Sequence, residues 1–128
     1  MKNIFLIDDD SDIRGILTYI LEEEGYHLTA SSSPIILKES QLTPDLIILD
    51  ERLQGAKGSE ICKEYKGNPA TSHIPVLLIS AINSIDLIAA NCHADGYIAK
   101  PFDLEEMLAI IKSTISNNSI GSNQLAEF

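Results

Sequence analysis

Short, nearly unbroken apolar runs are the feature of this sequence that most narrows the possible folds. Residues 3–8 (NIFLID), 45–50 (DLIILD) and 75–80 (PVLLIS) have the length of a strand and lack polar alternation. Such runs are typical of strands that are buried on both faces. Residues 26–30 and 97–100 are two shorter strand candidates. Because helices cover both faces of a parallel sheet, the runs predict an α/β domain.

Segments with helical periodicity separate these runs. In the first, apolar residues recur every three or four positions, and Gly25 follows as a stop signal. We expect Ser11 or Asp12 to cap this helix, and Pro34 to occupy the first position of the next one. The predicted helices are 11–24, 35–42, 59–66, 83–93 and 103–116, with loops at 54–58 and 67–75. Five strands that alternate with five helices predict a doubly wound, five-stranded parallel sheet.

Chain length and composition fit one domain. The chain has 128 residues, 45% of them hydrophobic, which is enough for a sizeable core. We expect residues 1–116 to form the domain and residues 117–128 to be a polar, disordered tail. If these 128 residues are the whole protein, we expect output through contact with another, unknown protein rather than through an attached DNA-binding domain.

Charge and the lack of targeting signals bear on partners and location. Asp and Glu outnumber Lys and Arg by 19 to 9, and the formal net charge of -10 disfavours direct binding of nucleic acid. No apolar stretch approaches the roughly 18 residues of a membrane span, and no signal peptide is evident. We therefore expect a cytoplasmic chain without membrane contact, with Cys62 and Cys92 as reduced thiols in or near the core.

Polar side chains stand at the ends of the predicted strands. They are Asp8, Asp9 and Asp10 after the first strand, Asp50 in the third, Ser80 in the fourth and Lys100 in the fifth. The carboxyl ends of parallel strands meet at one edge of the sheet, so these groups are expected to share a rim. Crowded carboxylates need a cation among them. Oxygen ligands alone favour a hard divalent ion, which predicts Mg²⁺.

This set of groups is suited to phosphoryl transfer. A carboxylate beside Mg²⁺ is a nucleophile that can form an acyl phosphate. The transfer mainly requires positioning and neutralisation of the oxygens of the transferred group. Mg²⁺, the Lys100 ammonium and the Ser80 hydroxyl would each neutralise one oxygen. The sequence therefore predicts phosphoryl transfer onto an aspartate.

Five stretches resemble, in order and spacing, the receiver domain of bacterial two-component response regulators. They are FLIDDDSDIR, PDLIILD, the Gly58-Ser59-Glu60 opening of the third helix, HIPVLLISA and DGYIAKPFD. The resemblance covers residues 2 to 116 and implies the flavodoxin-like strand order 2-1-3-4-5. It also implies that Asp50 is the phosphoacceptor and that a histidine kinase or phosphotransfer protein is the donor. Such a domain is a signalling module that catalyses only its own phosphorylation and dephosphorylation.

The resemblance further implies a ligand set for Mg²⁺. Asp9 and Asp50 would bind the ion directly, and Asp8 would bind it through water. The backbone carbonyl of Arg52 would contribute another oxygen.

For the switch, the resemblance implies three further roles. Lys100 would pair with the phosphoryl group, and its bond to Pro101 is expected to be cis. Ser80 would be the switch hydroxyl that moves to meet the new group. Tyr97 would be the aromatic side chain that rotates when the domain is phosphorylated.

The sequence departs from the family pattern in the loop after the third strand. Gln54 stands where the family often has Pro, and the loop lacks a frequent acidic residue. We therefore expect a more flexible loop. The departure leaves open an interaction module that is never phosphorylated, although the complete acid, Ser and Lys set argues against it. Arg52 and Ile82 are expected to flank the path of hydrolytic water and to slow self-dephosphorylation.

Two other motifs share the spacing of the first acids. A calcium loop of the EF-hand type is excluded because Ile13 and Tyr19 stand where it needs Gly and Glu. Phosphatases of the haloacid dehalogenase type also open with a strand and D-x-D, but this chain has no room for their cap, so they remain a minor alternative. Asp10 and Asp12 are most simply solvated acids at a helix start.

Overall fold

The computed structural model describes residues 1–127 of the chain, and the side chains of residues 1–117. The described residues form seven strands and five helices. The strands are β1 (Asn3–Ile7), β2 (His27–Ser31), β3 (Leu46–Asp50), β4 (Arg52–Leu53), β5 (Ala56–Lys57), β6 (Val76–Ser80) and β7 (Gly96–Ala99). The helices are α1 (Ser11–Glu23), α2 (Ile36–Glu39), α3 (Gly58–Gly67), α4 (Ile85–Asn91) and α5 (Leu104–Glu127).

Five of the strands form one parallel sheet in the order β2-β1-β3-β6-β7. Counted without the two hairpin strands, this is the order 2-1-3-4-5, so the predicted flavodoxin-like fold is confirmed. The winding direction changes between β1 and β3, where Ile7 pairs with Leu49 at the carboxyl end. Ligand sites in sheets of this kind lie at such a change of direction.

Both faces of the sheet are covered, as the apolar runs predicted. Ile4 and Leu6 pack in one cluster with residues of α1 and α5, whereas Phe5 and Ile7 pack in a second cluster with residues of α3 and α4. Full burial of each such side chain contributes about 1.5–3 kcal/mol. This gain explains why the central strands tolerate no polar alternation.

The two cysteines lie in the second cluster. Cys62 and Cys92 are free and completely buried, as predicted. Burial, and then the neighbouring Cys92, raises the pKa of the Cys62 thiol. A thiol that stays protonated is a poor nucleophile, so Cys62 acts as a core residue.

The N-cap of α1 is Asp10, so the prediction of Ser11 or Asp12 was wrong. The Asp10 carboxylate accepts hydrogen bonds from the N–H groups of Asp12 at 2.9 Å and Ile13 at 3.3 Å. The run of acids offers several equivalent caps, and the extended backbone of Asp10 decides between them. Gly25, with φ of 92°, follows the helix as predicted.

The second helix is shorter than predicted: α2 spans Ile36–Glu39, whereas the prediction was residues 35–42. Pro34 precedes the helix instead of starting it. The carbonyls of Pro34 and Ile35 accept hydrogen bonds from Leu37 and Lys38, three residues later. The chain therefore enters α2 through a tight turn. At the other end the backbone of Ser40 is extended and its hydroxyl accepts the Leu42 N–H at 3.1 Å, so the helix stops before residues 40–42.

The predicted loop at 54–58 contains part of a small antiparallel hairpin. Arg52 pairs with Lys57 and Leu53 with Ala56, and the turn uses Gly55 with φ of 75°. This backbone conformation is one that glycine adopts without strain. The loop thus has a defined hairpin geometry, and its greater flexibility stays a prediction.

The last helix extends beyond its predicted end at residue 116. Asp103 caps α5 as predicted, since its carboxylate accepts the Glu105 N–H at 2.9 Å. The helix continues to Glu127. The described side chains end at residue 117, so the domain boundary at residue 116 and the tail at 117–128 stay predictions. No helix among the described residues is both long enough and apolar enough to cross a membrane.

Candidate functional site

The parallel register aligns polar residues at the carboxyl edge of the sheet. Asp8 follows β1, Asp50 ends β3, Ser80 ends β6 and Lys100 follows β7. Neighbouring strands end at nearly the same level, because their residues pair one to one up to these positions. The structure thus gathers Asp8, Asp50 and Lys100 in direct contact, as the strand ends predicted.

The Lys100 ammonium links the two buried carboxylates. Its Nζ lies 2.9 Å from Oδ2 of Asp8 and 3.5 Å from Oδ2 of Asp50. Burial lowers the pKa of Lys100, but the two carboxylates outweigh burial and leave the pKa above its ordinary value. Lys100 is therefore a fixed positive charge at neutral pH. The bond between Lys100 and Pro101 is cis, which confirms the expectation from the resemblance.

Asp8 is completely buried and held on several sides. Its N–H donates to the Ser31 carbonyl at 3.1 Å, and its own carbonyl accepts a hydrogen bond from Nη1 of Arg14 at 2.7 Å. Oδ1 accepts the Asp10 N–H at 2.9 Å. Oδ2 has no hydrogen bond among the described residues, and its close partner is the Lys100 ammonium. This oxygen therefore retains the capacity to bind another donor or a cation.

The Asp50 carboxylate opens into a cleft of about 200 Å³. The other residues that line this cleft are Arg52, Ser80, Ala81, Ile82 and Lys100. Burial, and then the charge of Asp8, raises the pKa of Asp50, while Lys100 and the Arg52 N–H at 3.3 Å oppose the rise. The ionised form of Asp50 is thus poorly stabilised, and any added cation would favour it.

Ser80 places its hydroxyl at the wall of the same cleft. The residue is nearly buried, and its Oγ accepts the Ile82 N–H at 3.1 Å. Accepting this bond leaves the hydroxyl proton available to donate to an oxygen in the cleft. The same hydrogen bond fixes the start of the loop that leads into α4.

One residue beside Asp50, Glu51, was missed as a structural determinant. The buried Glu51 carboxylate accepts the Ser59 N–H at 2.6 Å and the Ser59 hydroxyl at 2.8 Å, and the Glu51 carbonyl accepts the Gly58 N–H at 3.0 Å. A Cβ on Gly58 would overlap the carbonyl oxygen of Asp50. The start of α3 is therefore fixed against the end of β3. The sequence contained the Gly58-Ser59 signal, but its partner Glu51 is eight residues away.

A family model supports the interpretation of this edge of the sheet. The model for the response regulator receiver domain matches residues 4–112. The chain belongs to this family. The match confirms the predicted family. Receiver domains are phosphoacceptor signalling domains of two-component systems.

This chain is similar in sequence to two longer curated proteins. It is 35% identical over 119 residues to the DNA-binding dual master transcriptional regulator RpaA of Synechocystis sp., covering 90% of this chain and 49% of RpaA. It is 30% identical over 130 residues to the phosphate regulon transcriptional regulatory protein PhoB of Pseudomonas aeruginosa, covering 96% of this chain and 56% of PhoB. The chain spans about half the length of these relatives. The absence of direct nucleic-acid binding therefore stays a prediction.

A solved structure with a bound metal also matches the receiver domain. The response regulator TrrA of Thermotoga maritima, in complex with Mg²⁺-BeF, is 28% identical with a TM-score of 0.77. The match covers 89% of this chain and 99% of TrrA.

Three predicted site residues of the receiver domain lie away from the Lys100 contacts. Asp9 is exposed and lines a polar hollow with Arg14, Ser32, Ser33 and Gln54. Arg52 has an exposed side chain and contacts Asp50 through its backbone N–H. Tyr97 is 42% exposed, on the edge strand β7. The roles predicted for these residues stay predictions.

The residues present fit a hard divalent cation by their chemistry. Asp8 and Asp50 offer carboxylate oxygens, one of them buried without a hydrogen bond, and the ionised form of Asp50 gains from added positive charge. Over the described part of the chain, however, no three acidic, His or Cys side chains are already arranged around one metal position. Asp9, the third acid of the predicted ligand set, is exposed and lines the separate polar hollow with Arg14.

Proposed function

We propose that Asp50 accepts a phosphoryl group from a phosphohistidine of a histidine kinase or phosphotransfer protein, in a step that depends on Mg²⁺. The observation that carries this proposal is the placement of Asp50. Its carboxylate lies at the end of a central strand, opens into a cleft, and has the Lys100 ammonium 3.5 Å away. No other carboxylate among the residues that line this cleft competes for the role.

The transfer is a displacement at phosphorus. An oxygen of the ionised Asp50 carboxylate forms a bond to phosphorus, and the P–N bond of the phosphohistidine breaks. The electron pair of that bond remains on the imidazole nitrogen of the donor. The product is an acyl phosphate on Asp50, and this domain supplies the groups that position it.

Lys100 and Ser80 receive the new group. The ammonium pairs with one phosphoryl oxygen, and the Ser80 hydroxyl, whose proton is free, donates to another. Lys100 must shift from Asp8 toward Asp50 to do so, because it now lies closer to Asp8. Phosphorylation therefore breaks one ion pair and forms another.

Mg²⁺ would be held by Asp9 and Asp50 directly, by Asp8 through water and by the Arg52 carbonyl. When bound, the ion supplies positive charge to oxygens of the transferred group. The Oδ2 oxygen of Asp8, whose close partner is the Lys100 ammonium, supports this assignment, because it can bind a second cationic partner when the ammonium moves toward Asp50. Asp9 is exposed at the rim, where it is free to turn toward an ion.

The signal leaves through the loop after Ser80. Movement of Ser80 toward the phosphoryl group releases or tilts the loop that begins at Ile82. Tyr97, which is partly exposed on the neighbouring strand, turns into the space that this movement opens. The face that contains α4, β7 and α5 then shifts between two populations and is recognised by a downstream protein.

We propose that the domain acts in the cytoplasm and that its acyl phosphate is hydrolysed slowly. Arg52 and Ile82 both line the Asp50 cleft and hinder a water molecule that approaches phosphorus from the open side. The domain thus catalyses its own phosphorylation and dephosphorylation and acts on no other substrate.

Titration with beryllofluoride, a phosphoryl mimic, tests this function. In the presence of Mg²⁺, amide signals of residues around Asp50 and Ser80 are expected to shift to a second, saturable state in NMR spectra. The Asp50→Ala variant is expected to show no such state. If Mg²⁺ and beryllofluoride shift no amide signals around Asp50, the domain would instead be an interaction module. Steady hydrolysis of p-nitrophenyl phosphate would favour the phosphatase alternative.

A further inference from the structure

We propose that Arg14 is a positioning residue for the proposed Mg²⁺ site, which it serves by holding the backbone of Asp8. This inference rests on the proposed function. Arg14 belongs to the first helix, and its Nη1 donates to the carbonyl oxygen of Asp8 at 2.7 Å. This is a short, charge-assisted hydrogen bond that links a side chain to a carbonyl six residues earlier.

The contact closes the chain segment that carries the first acids. β1 ends at Ile7 and Asp10 caps α1, so the chain must change direction within residues 8–10. The Asp8 N–H is fixed by Ser31, and Arg14 fixes its carbonyl. The peptide that joins Asp8 to Asp9 is thereby held in one orientation. That orientation sets where the side chain of Asp9 can reach.

Asp9 needs this support more than the other proposed ligands do. Asp8 and Asp50 are buried and paired with Lys100, whereas Asp9 is exposed and lines the polar hollow with Arg14. Among the described residues, Arg14 forms no ion pair with any carboxylate within 4.0 Å. Its role is therefore not to neutralise an acid, and the backbone contact is what it contributes.

The sign of the effect on Mg²⁺ affinity separates positioning from simple electrostatics. Arg14 is a positive charge near a site for a cation, so by Coulomb's law its removal strengthens Mg²⁺ binding. Loss of a residue that orients ligands weakens metal binding, by about tenfold or more. The two effects oppose each other, and only a positioning role predicts weaker binding for Arg14→Gln.

The experiment compares Mg²⁺ dissociation constants of metal-free proteins, from the amide shifts of Asp9 and Asp10 in NMR titrations. The variants are Arg14→Gln, Arg14→Lys and the control Lys63→Gln, which removes the same charge from an exposed position on α3. Arg14→Gln is expected to bind Mg²⁺ about tenfold more weakly. Arg14→Lys is expected to recover part of the loss, because an ammonium still donates a hydrogen bond, and Lys63→Gln to match the wild type.

Unchanged or tighter Mg²⁺ binding by Arg14→Gln would overturn the inference while leaving the proposed function intact. Equal losses in Arg14→Gln and Lys63→Gln would also overturn it, since a loss shared with a variant on α3 would not come from the Arg14 contact with Asp8. If the wild-type domain fails to bind Mg²⁺, the proposed function fails, and the inference fails with it. Thermal unfolding without metal shows whether each variant is folded, and Arg14→Lys keeps the test decisive if Arg14→Gln is not.

Discussion

The Lys100 ammonium lies closer to Asp8, at 2.9 Å, than to the proposed phosphoacceptor, and so acts as the cation of the acid pair when no metal is bound. Asp8 is completely buried, and among the described residues Lys100 is the one cationic side chain that pairs with its carboxylate. Stability and Mg²⁺ binding are therefore coupled through the same side chain.

Lys100→Met is expected to destabilise the metal-free domain by about 3–5 kcal/mol, because it leaves a buried carboxylate without its partner. Added Mg²⁺ is expected to recover much of the loss and to bind more tightly than to the wild type, since no ammonium competes with it. Urea unfolding with and without Mg²⁺ measures both effects. The control is Lys112→Met, which breaks the exposed ion pair with Glu24 and should change little. Equal unfolding free energies for Lys100→Met and wild type would contradict the coupling.

Asp50→Asn is expected to stabilise the domain at pH 7. Burial and Asp8 raise the pKa of Asp50 in the folded state, so the folded state binds this proton more tightly than the unfolded chain does. Stability is therefore lost as the pH rises from the ordinary carboxyl pKa through the raised one. The gain from Asp50→Asn should accordingly be full above both values and vanish in acid. Denaturant unfolding between pH 4 and pH 8 measures it.

A matched control for the charge is Asp45→Asn at the other end of β3. The Asp45 carboxylate accepts the Asn3 N–H at 2.7 Å, and replacing this charged acceptor by a neutral amide oxygen should cost about 1 kcal/mol. Both variants remove one negative charge from an acidic protein. If the two variants stabilise the domain equally, relief of net charge explains the result and the raised pKa of Asp50 does not.

Gly58→Ala is expected to destabilise the domain by at least about 1–3 kcal/mol, because the new Cβ would overlap the Asp50 carbonyl oxygen. The backbone there cannot move freely, since Glu51 holds both Gly58 and Ser59. Gly15→Ala in α1 is the control. A Cβ at Gly15 meets no atom within 4 Å, and alanine favours helix, so that variant should gain roughly 0.5–1 kcal/mol. Thermal unfolding of the pair is sufficient, and a stable Gly58→Ala would show that α3 can move away from β3.

The wild-type acyl phosphate is expected to persist for minutes or longer, because Arg52 and Ile82 line the approach to Asp50. Arg52→Ala should shorten its lifetime by opening a path for water. The measurement is the decay of the phosphorylated mass after removal of the phosphodonor. A half-life of seconds for the wild type, or no change in Arg52→Ala, would contradict the shielding role.

The sequence was sufficient to predict the sheet, its two covered faces and the residues at its carboxyl edge. This is because apolar runs such as 45–50 report burial on both faces, and the parallel arrangement then aligns the residues that follow them. The helix stripes were equally informative, since Leu17 and Leu21 lie where their spacing placed them.

What the sequence did not predict depends on tertiary approach. The choice of Asp10 as N-cap over its neighbours follows from the path of one turn, and the preference of Lys100 for Asp8 follows from where two strand ends meet. The contact of Arg14 with the Asp8 carbonyl and the clamp of Glu51 on Ser59 are of the same kind. Residue spacing carries no signal for such contacts, because they depend on backbone direction and not on periodicity.

Intact mass spectrometry after incubation with acetyl phosphate tests the central assignment most directly. The wild-type domain is expected to gain the mass of one phosphoryl group only when Mg²⁺ is present, and Asp45→Ala is expected to behave in the same way. Asp50→Ala should gain none under any condition. Equal phosphorylation of Asp50→Ala and the wild type would contradict the account.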